Sequence, residues 1–329
     1  MDLYYFIGLY QHSAKLILIE NKISCGCLFL RANLVDSFYV AQDQTDITQA
    51  YQERNLLIMS LSSIQIIAAD PAGNKTIFVL TPVSREFYQP IASYLLSLKE
   101  HNAEQIAFVL PDEPGLHGRM EMCGLEFCGN ASRTFALIQA KKLGFSGQHT
   151  LRVRVSGCED PLDVEVNVET NYTKIRMPVP LSITSWNNDV LVDLGGILHL
   201  VTMDKAPNPA AFETLKEQLI QEYDPPALGV MFFQPENRSL TPVVYVADVR
   251  TTYFEGSCAS GTVAVIAALT HACPSGDYSY TIQQPQGELT ASIKKGKNHI
   301  DSVFIEGPVA AEEPITIQLP LQLACTGRI

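Results

Sequence analysis

The sequence predicts an α/β (α+β) fold with two pseudo-symmetric domains and an active site in the cleft between them. The chain has 329 residues, too many for one small core and suitable for two domains of ordinary size. Hydrophobic residues make up 47% of it and charged residues 18%, as in a folded globular protein. One order of elements, namely strand, turn, strand, helix, strand, cysteine turn and helix, occurs twice. This duplication predicts two similar domains that face each other.

The first copy of this order begins near Ile64. Apolar residues recur at helical spacing from Phe87 to Leu98, which predicts a helix, and the apolar run after Ser132 predicts another. Short apolar runs bounded by turn residues predict the strands. The predicted elements of this copy are strands 64–68, 76–80 and 106–110 and helices 85–99 and 134–142.

The second copy follows the same order, with Gly195-Gly196 as the turn between its first two strands. Its predicted elements are strands 190–194, 199–203 and 243–249 and helices 212–223 and 263–272. We therefore expect an N-terminal extension over 1–58, a first domain over 59–180, and a second domain over 181–301. The C-terminal stretch 302–329 can return to the first domain.

Charge and cysteine usage narrow the classes of partner. The net charge of −12 argues against binding to nucleic acid or to an anionic membrane, because both need clustered Lys and Arg. No apolar run approaches the roughly 20 residues that span a bilayer, and the start lacks a basic leader region. The eight cysteines form no compact framework, which favours thiols in a reducing compartment. We expect a cytoplasmic protein with a small-molecule ligand.

Two cysteines lie among small and hydroxyl-bearing residues at the predicted start of a helix. Residues 127–132 read Phe-Cys-Gly-Asn-Ala-Ser, and residues 257–262 read Ser-Cys-Ala-Ser-Gly-Thr. Unpaired amides of a first helical turn can bind a carboxylate, and the positive end of the helix favours thiolate over thiol. One such turn is weak evidence for a catalytic cysteine, because buried structural cysteines are common in protein cores.

Two matching cysteine turns, one in each duplicated half, are stronger evidence for catalysis than a single turn. If the halves face each other, two thiols flank one cleft. One thiolate can then remove the α-proton of an amino acid from one face while the opposite thiol delivers a proton to the other. The helix amides stabilise the charge that builds on the carboxylate as the carbanion forms. The pattern predicts inversion of a carbon next to a carboxylate.

These residues resemble the diaminopimelate epimerase family, whose members work without pyridoxal phosphate. Residues 127–133 resemble its Cys-Gly-Asn-Gly-x-Arg motif, and residues 257–262 resemble its second motif, Ala-Cys-Gly-Ser/Thr-Gly. Gly73-Asn74 resembles the early Gly-Asn turn and Glu306-Gly307-Pro308 the closing strand. The resemblance covers about 64–317. It implies a mixed barrel-like sheet around a central helix in each domain, and it implies no cofactor and no metal.

The resemblance also implies roles for individual residues. Cys128 and Cys258 match the acid/base pair. Asn74 matches an asparagine that contacts substrate, and Arg250 matches an arginine that grips the distal end of diaminopimelate. Four backbone amides match the cradle of the α-carboxylate, those of Gly129, Asn130, Ala259 and Ser260.

Departures from the family concern the distal end of the substrate. Where the epimerases place asparagines for the distal amino-carboxylate group, this chain has Arg119, Ile197 and Ala227. Such a pocket should bind diaminopimelate poorly, because a buried charged end would lack partners. Residues 71–76, Pro-Ala-Gly-Asn-Lys-Thr, also resemble a turn of the histidine racemases, and Glu255 could then bind the substrate ammonium.

The sequence therefore predicts a cofactor-independent amino-acid racemase or epimerase, an isomerase, with histidine as the leading substrate. Three alternatives stay open: a true diaminopimelate epimerase, a proline-racemase-like or isomerase relative with the same duplicated fold, and a non-catalytic amino-acid-binding relative. A homodimer also stays open. We interpret His199 as a structural histidine on a strand, since inversion needs no third base.

Overall fold

The computed structural model describes residues 5–10, 13–20, 28–31, 38–41, 63–203, 205–247, 250–297 and 299–320. Most of the predicted extension 1–58 therefore lies outside the described residues. Contacts divide the chain into a smaller unit, comprising 1–64, 85–91 and 316–329, and a larger one, comprising 65–84 and 92–315. Both cysteine turns lie in the larger unit. The predicted domain boundary at residue 180 stays a prediction.

The strands of the first 62 residues form two antiparallel pairs, β1 with β2 and β3 with β4. Their bounds are β1 Tyr5–Tyr10, β2 Ser13–Glu20, β3 Leu28–Arg31 and β4 Phe38–Ala41.

Two sets of strands follow, one on each side of the predicted domain boundary. The first set is β5 Ser63–Asp70, β6 Thr76–Val79, β7 Gln105–Leu110, β8 Gly118–Met122, β9 Gln148–Val155, β10 Leu162–Asn167 and β11 Tyr172–Met177. The second is β12 Ser182–Trp186, β13 Asp189–Asp193, β14 Leu198–Met203, β15 Ala227–Gln234, β16 Ser239–Val246, β17 Thr251–Phe254, β18 Gly276–Gln284, β19 Gly287–Lys295, β20 Ile300–Pro308, β21 Ala310–Ala311 and β22 Ile315–Gln318.

Four α-helices accompany these strands in the described residues. They are α1 Tyr88–Ser97, preceded by a 3₁₀ turn over Arg85–Phe87, α2 Gly129–Lys142, α3 Pro209–Tyr223 and α4 Ala259–Thr270. Each predicted helix is present, and α2 and α4 begin five and four residues earlier than predicted, directly after a cysteine. No helix among the described residues is long and apolar enough to cross a membrane.

The strands from β5 onward join into one mixed sheet whose hydrogen-bonded order closes on itself. Pairs β6–β7, β8–β9 and β14–β15 are parallel, and most others are antiparallel. This confirms the mixed α+β class, while the pseudo-symmetry of two domains stays a prediction. Within the stretch 302–329, β20 pairs with β11 and β21 with β5, so both return to strands of the first copy.

Helices α2 and α4 are buried inside this sheet. All residues from Gly129 to Ala140 of α2 are buried, and α4 is buried from Gly261 to Ala267. The sequence explains this for α4, because its central run Val-Ala-Val-Ile-Ala is apolar on every side and has no face suited to water. Of the cysteines that precede these two helices, Cys258 is buried and Cys128 is partly exposed.

Candidate active site

The first turn places Cys128 as the N-cap residue of α2. Its backbone is extended, with φ −127° and ψ 110°, and its sulfur accepts a hydrogen bond from the amide of Ala131 at 3.5 Å. A thiol here takes the place that Ser, Asn or Asp commonly has at a helix start. The predicted position of this cysteine at a helix start is confirmed.

Side chains from the first copy surround the Cys128 sulfur. Gln105 donates from Nε2 to this sulfur at 3.3 Å, and the same nitrogen donates to Asn74 Oδ1 at 2.8 Å and Thr76 Oγ1 at 2.9 Å. Asn74 in turn donates from Nδ2 to Glu104 Oε2 at 2.9 Å. The predicted substrate contact Asn74 therefore lies beside Cys128.

The turn before Asn74 explains why a glycine precedes it. Gly73 has φ 97°, in the left-handed region, and a Cβ there would lie 2.5 Å from Cβ of Gln286. A side chain at this position would thus meet both backbone strain and a clash. The glycine lets the turn approach the β18–β19 hairpin closely.

The second cysteine turn has the same N-cap arrangement as the first. Cys258 precedes α4 with φ −123° and ψ 113°, and its sulfur accepts from the amide of Gly261 at 3.3 Å. Gln284 holds the turn from the sheet: its Oε1 accepts from the Cys258 amide at 2.7 Å, and its Nε2 donates to Thr262 Oγ1 at 3.1 Å. Thr262 donates back to the Cys258 carbonyl at 2.6 Å.

The side chains around the second sulfur differ from those around the first. Ser260 Oγ lies 3.4 Å from Cys258 Sγ and 3.0 Å from Nε2 of His199. The Glu255 carboxyl group also interacts with the Cys258 thiol and raises its pKa. His199 is 0% exposed and fits against bare backbone, since a Cβ at Gly229 would lie 2.2 Å from its Nδ1.

The two helix starts meet. A Cβ added to Gly129 would lie 3.5 Å from Cβ of Ala259, in van der Waals contact across the two starts, and 2.6 Å from Sδ of Met177, whose side chain would have to shift. Four first-turn amides donate no hydrogen bond to any other described residue, as expected at a helix start, namely those of Gly129, Asn130, Ala259 and Ser260. The structure thus brings together the four amides predicted to form the carboxylate cradle.

Burial, more than the helix starts, sets the protonation of the two thiols. Desolvation raises the pKa of Cys128 to about 11, although the Ala131 amide and Gln105 act in the opposite direction. Desolvation and the Glu255 carboxylate together raise the pKa of Cys258 well above its ordinary value. The helix-start amides act in the predicted direction, but the cost of burying the charge exceeds their contribution, so the pKa of each thiol rises.

Two carboxyl groups add negative charge beside the thiols. Burial raises the pKa of Glu255 to about 7, with a further contribution from the charge of Glu104. Burial also raises the pKa of Glu104, which accepts from Asn74 and from the amide of Gly256 at 3.3 Å. Burial lowers the pKa of His199 to about 3, so its ring is neutral at physiological pH.

The structure does not bring Arg250 into this group. Its side chain is exposed, its backbone has φ 50°, and it makes no hydrogen bond or ion pair with any site residue in the described part of the chain. Of the three departures at the distal end, Arg119 is paired with Glu113 Oε2 at 3.2 Å. Ile197 packs against the hydrophobic core, and Ala227 begins β15.

Sequence reasoning missed Glu104, Gln105 and Gln284, and it treated His199 as structural. Glu104-Gln105 is a polar pair directly before the apolar run of β7, and Gln284 ends β18. Neither position carried a local signal, because polar residues are common at strand ends and β18 mixes polar and apolar residues along its length. In the described residues, no cluster of His, Cys, Asp and Glu has an arrangement that could hold a metal ion.

The first cysteine motif and the closing Gly-Pro strand meet at Arg133. This arginine is 0% exposed, donates from Nε to Asn130 Oδ1 at 3.2 Å, and donates from Nη1 to the carbonyls of Gly307 at 2.9 Å and Pro308 at 3.3 Å. The closing Gly-Pro strand is therefore tied to the first cysteine turn through one buried guanidinium.

Comparisons with known proteins identify the family of the chain. Residues 63–312 match a family described as the histidine racemase CntK N-terminal domain. A histidine racemase of Fusobacterium nucleatum is 34% identical over 261 residues, which are 75% of this chain and 93% of that protein. A histidine racemase of Staphylococcus aureus is 23% identical over 252 residues, which are 72% of this chain and 91% of that protein.

A solved structure supports the fold. The crystal structure of a Bacillus anthracis phenazine biosynthesis protein of the PhzF family superposes with a TM-score of 0.59 and 13% identity. The match covers 78% of this chain and 99% of that chain. At this low identity the likeness concerns the fold alone.

Proposed function

The chain belongs to the histidine racemase family, and from that premise we propose that it inverts the α-carbon of free histidine with Cys128 and Cys258 as its acid/base pair. As a member of this family it is an isomerase of the racemase and epimerase class. The observation that carries the proposal is the meeting of two cysteine-capped helix starts, at which a Cβ added to Gly129 would lie 3.5 Å from Cβ of Ala259.

The unpartnered amides of the two helix starts suit the α-carboxylate of an amino acid. Amides at a helix N-terminus point along the helix axis and carry partial positive charge. Two such ends converge here, so both oxygens of one carboxylate can be bound without a charged side chain. As the α-proton leaves, negative charge spreads onto this carboxylate, and the amides then stabilise the transition state.

Protons move between the thiols and the α-carbon in two balanced steps. The Cys258 proton passes to Glu255, whose pKa of about 7 lets it accept a proton near neutrality. The Cys258 thiolate then takes the α-proton, and the electron pair stays on the substrate as a carbanion. Cys128 delivers its proton to the opposite face, and the reverse sequence converts the other enantiomer. High thiol pKa values suit this work, because a buried thiolate is a stronger base toward a carbon acid.

The charge around the thiols favours histidine over diaminopimelate. Histidine has no second carboxylate, and its ammonium and imidazole suit a site that contains the carboxyl groups of Glu104 and Glu255. The distal carboxylate of diaminopimelate would meet like charge there and would have no partner in the exposed Arg250. This argument supports an amino acid with one carboxylate.

The scheme needs reduced thiols and no cofactor, which fits a cytoplasmic enzyme. Cys128 and Cys258 are both thiols in the structure. We expect mild oxidation or iodoacetamide to inactivate the enzyme, and dialysis against a chelator to leave activity unchanged. Loss of activity on chelation with recovery by a metal ion would contradict this part of the proposal.

The test compares two substrates in heavy water. L-Histidine and L,L-diaminopimelate are incubated separately with the wild-type chain, and α-deuterium incorporation and inversion are followed by NMR and chiral chromatography. We expect a higher kcat/KM for histidine. A kcat/KM that favours diaminopimelate by about a hundredfold, or about 2.7 kcal/mol in transition-state binding, would overturn the substrate assignment.

A further inference from the structure

The hydroxyl of Ser260 lies within hydrogen-bond distance of two groups, each of which could accept its single proton. Its Oγ lies 3.4 Å from the Cys258 sulfur and 3.0 Å from His199 Nε2. A hydroxyl donates one hydrogen bond and accepts others, so its direction decides whether it supports the thiol or the thiolate. No comparable hydroxyl is bonded to the Cys128 sulfur in the described residues, where the amide of Gln105 donates instead.

The environment of His199 fixes which of its nitrogens carries hydrogen. The ring is fully buried and neutral, so it has one N–H and one lone pair. Its Nδ1 has no hydrogen-bond partner among the described residues and faces the backbone of Gly229. A buried N–H without a partner is rarer and costlier than an unpaired acceptor. The hydrogen therefore belongs on Nε2, where it donates to Ser260.

The Ser260 proton also has a defined direction. The carboxyl group of Glu255 interacts with the Cys258 thiol and offers the thiol proton an acceptor. Because Ser260 Oγ accepts from His199 Nε2 at 3.0 Å and lies 3.4 Å from Cys258 Sγ, its own proton can form a hydrogen bond to the sulfur. That hydrogen bond persists and strengthens once the thiol proton has moved to Glu255, since donors bind an ionised acceptor more strongly.

We propose that His199 is a positioning residue, which donates from Nε2 to the Ser260 hydroxyl and so directs the hydroxyl proton to the Cys258 sulfur, where it stabilises the thiolate. The inference rests on the proposed function, since it takes the Cys258 thiolate as a reacting species. It gives His199 a role that acts through Ser260 and does not involve contact with substrate.

The experiment measures thiolate reactivity at each cysteine separately. The full-length chain is treated with iodoacetamide, and the alkylation rates of Cys128 and Cys258 are read by peptide mass spectrometry. Only the thiolate reacts, so the rate reports its population. Three variants are compared with wild type: His199→Phe, which keeps a ring without nitrogens, His199→Gln, which keeps a side-chain N–H, and Ser260→Ala.

We expect His199→Phe and Ser260→Ala to slow alkylation of Cys258 by roughly 10- to 100-fold, as for loss of one donor to a charged acceptor. His199→Gln should restore most of the rate, and Cys128 should react as in wild type throughout. Gln105→Met serves as the matched control, because it should slow Cys128 and leave Cys258 unchanged.

The direction of the effect separates positioning from packing. A collapsed core would expose the thiols and accelerate alkylation at both cysteines, whereas loss of the donor slows Cys258 alone. If His199→Phe does not fold, Ser260→Ala provides the test, because Ser260 is partly exposed and its replacement disturbs the core less. Should alkylation of wild-type Cys258 be too slow to follow, α-proton exchange of histidine in a Cys128→Ala background replaces it. An unchanged Cys258 rate in Ser260→Ala would overturn the proposal.

These outcomes are independent of the substrate. If the wild-type chain racemises histidine and the alkylation rate of Cys258 is unchanged in His199→Phe and Ser260→Ala, the positioning role is refuted and the proposed function stands. A chain that fails to exchange any histidine α-proton, yet shows the slowed Cys258, refutes the substrate and leaves the positioning role standing.

Discussion

The two cysteine turns share one backbone geometry and differ in their proton chemistry. Both cysteines have φ near −125° and accept from the amide three residues later. At Cys128 the amide oxygen of Asn74 lies 3.9 Å from the thiol sulfur, whereas the Glu255 carboxyl group acts on Cys258 and raises its pKa. A repeated local structure thus places the thiols symmetrically, and Glu255, three residues before Cys258, makes this thiol the one with a carboxyl group as proton acceptor.

The largest expected effect follows from this asymmetry. Glu255→Gln removes the carboxylate that accepts the Cys258 proton while keeping its size, so inversion should fall by about 10²- to 10³-fold in kcat, as for loss of a general base. The pH profile gives a second measurement. Glu255 is protonated below its pKa of about 7, so wild-type kcat should decline as the pH falls through 7, and the variant should lack this limb.

Glu104→Gln is the matched control for this prediction. Glu104 accepts from Asn74 and the Gly256 amide, and no hydrogen bond joins it to either thiol in the described residues. We expect this variant to raise KM more than it lowers kcat. Equal losses of kcat in the two variants would mean that Glu255 binds substrate and has no part in moving the Cys258 proton.

The sequence predicted what depends on neighbours in the chain and missed what depends on folding. A cysteine followed by small and hydroxyl residues before an apolar run predicts a cap, since the cap involves only the next three residues. Gln105 and Glu104 come to Asn74 from about 30 residues away, through pairing of Thr76 with Gln105 in β6 and β7. Nothing local distinguishes these polar residues from those of an ordinary strand start.

The thiol pKa values show the same division between local and long-range causes. The helix-start amides act as the sequence suggests, but the surrounding sheet removes the water, and that cost is set by residues far apart in the chain. Arg250 is a different case. Its spacing before Cys258 matches the epimerase motif, yet the structure leaves its side chain exposed. Its role in binding stays a prediction.

A smaller effect distinguishes the far ends of the two helices. Just beyond the end of α2, Gly144 has φ 73° and its amide donates to the carbonyl of Lys141 at 3.0 Å, whereas the carbonyls at and just beyond the end of α4 accept from Lys295, at 2.6 Å for Thr270 and 2.7 Å for Cys273. Lys295→Met should lower the free energy of unfolding by about 1–3 kcal/mol, because it leaves carbonyls unpaired and removes a cation from the negative end of the helix.

Gly144→Ala is the companion measurement at the other helix end. A Cβ there would meet nothing within 4 Å, so only the left-handed backbone is strained and a loss of about 1 kcal/mol is expected. Both values come from urea unfolding followed by circular dichroism. A larger loss for Gly144→Ala than for Lys295→Met would show that Lys295 does not stabilise the end of α4.

The central claim, that each thiol serves one face of the α-carbon, is tested most directly by α-proton exchange in the single-thiol variants. Cys128→Ala and Cys258→Ala are incubated in heavy water with L-histidine and with D-histidine, and deuterium incorporation and inversion are measured separately. We predict that neither variant inverts either enantiomer, and that each exchanges the α-proton of one enantiomer only, a different one for each variant. Near-normal inversion by either variant, or exchange of the same enantiomer by both, would contradict the account.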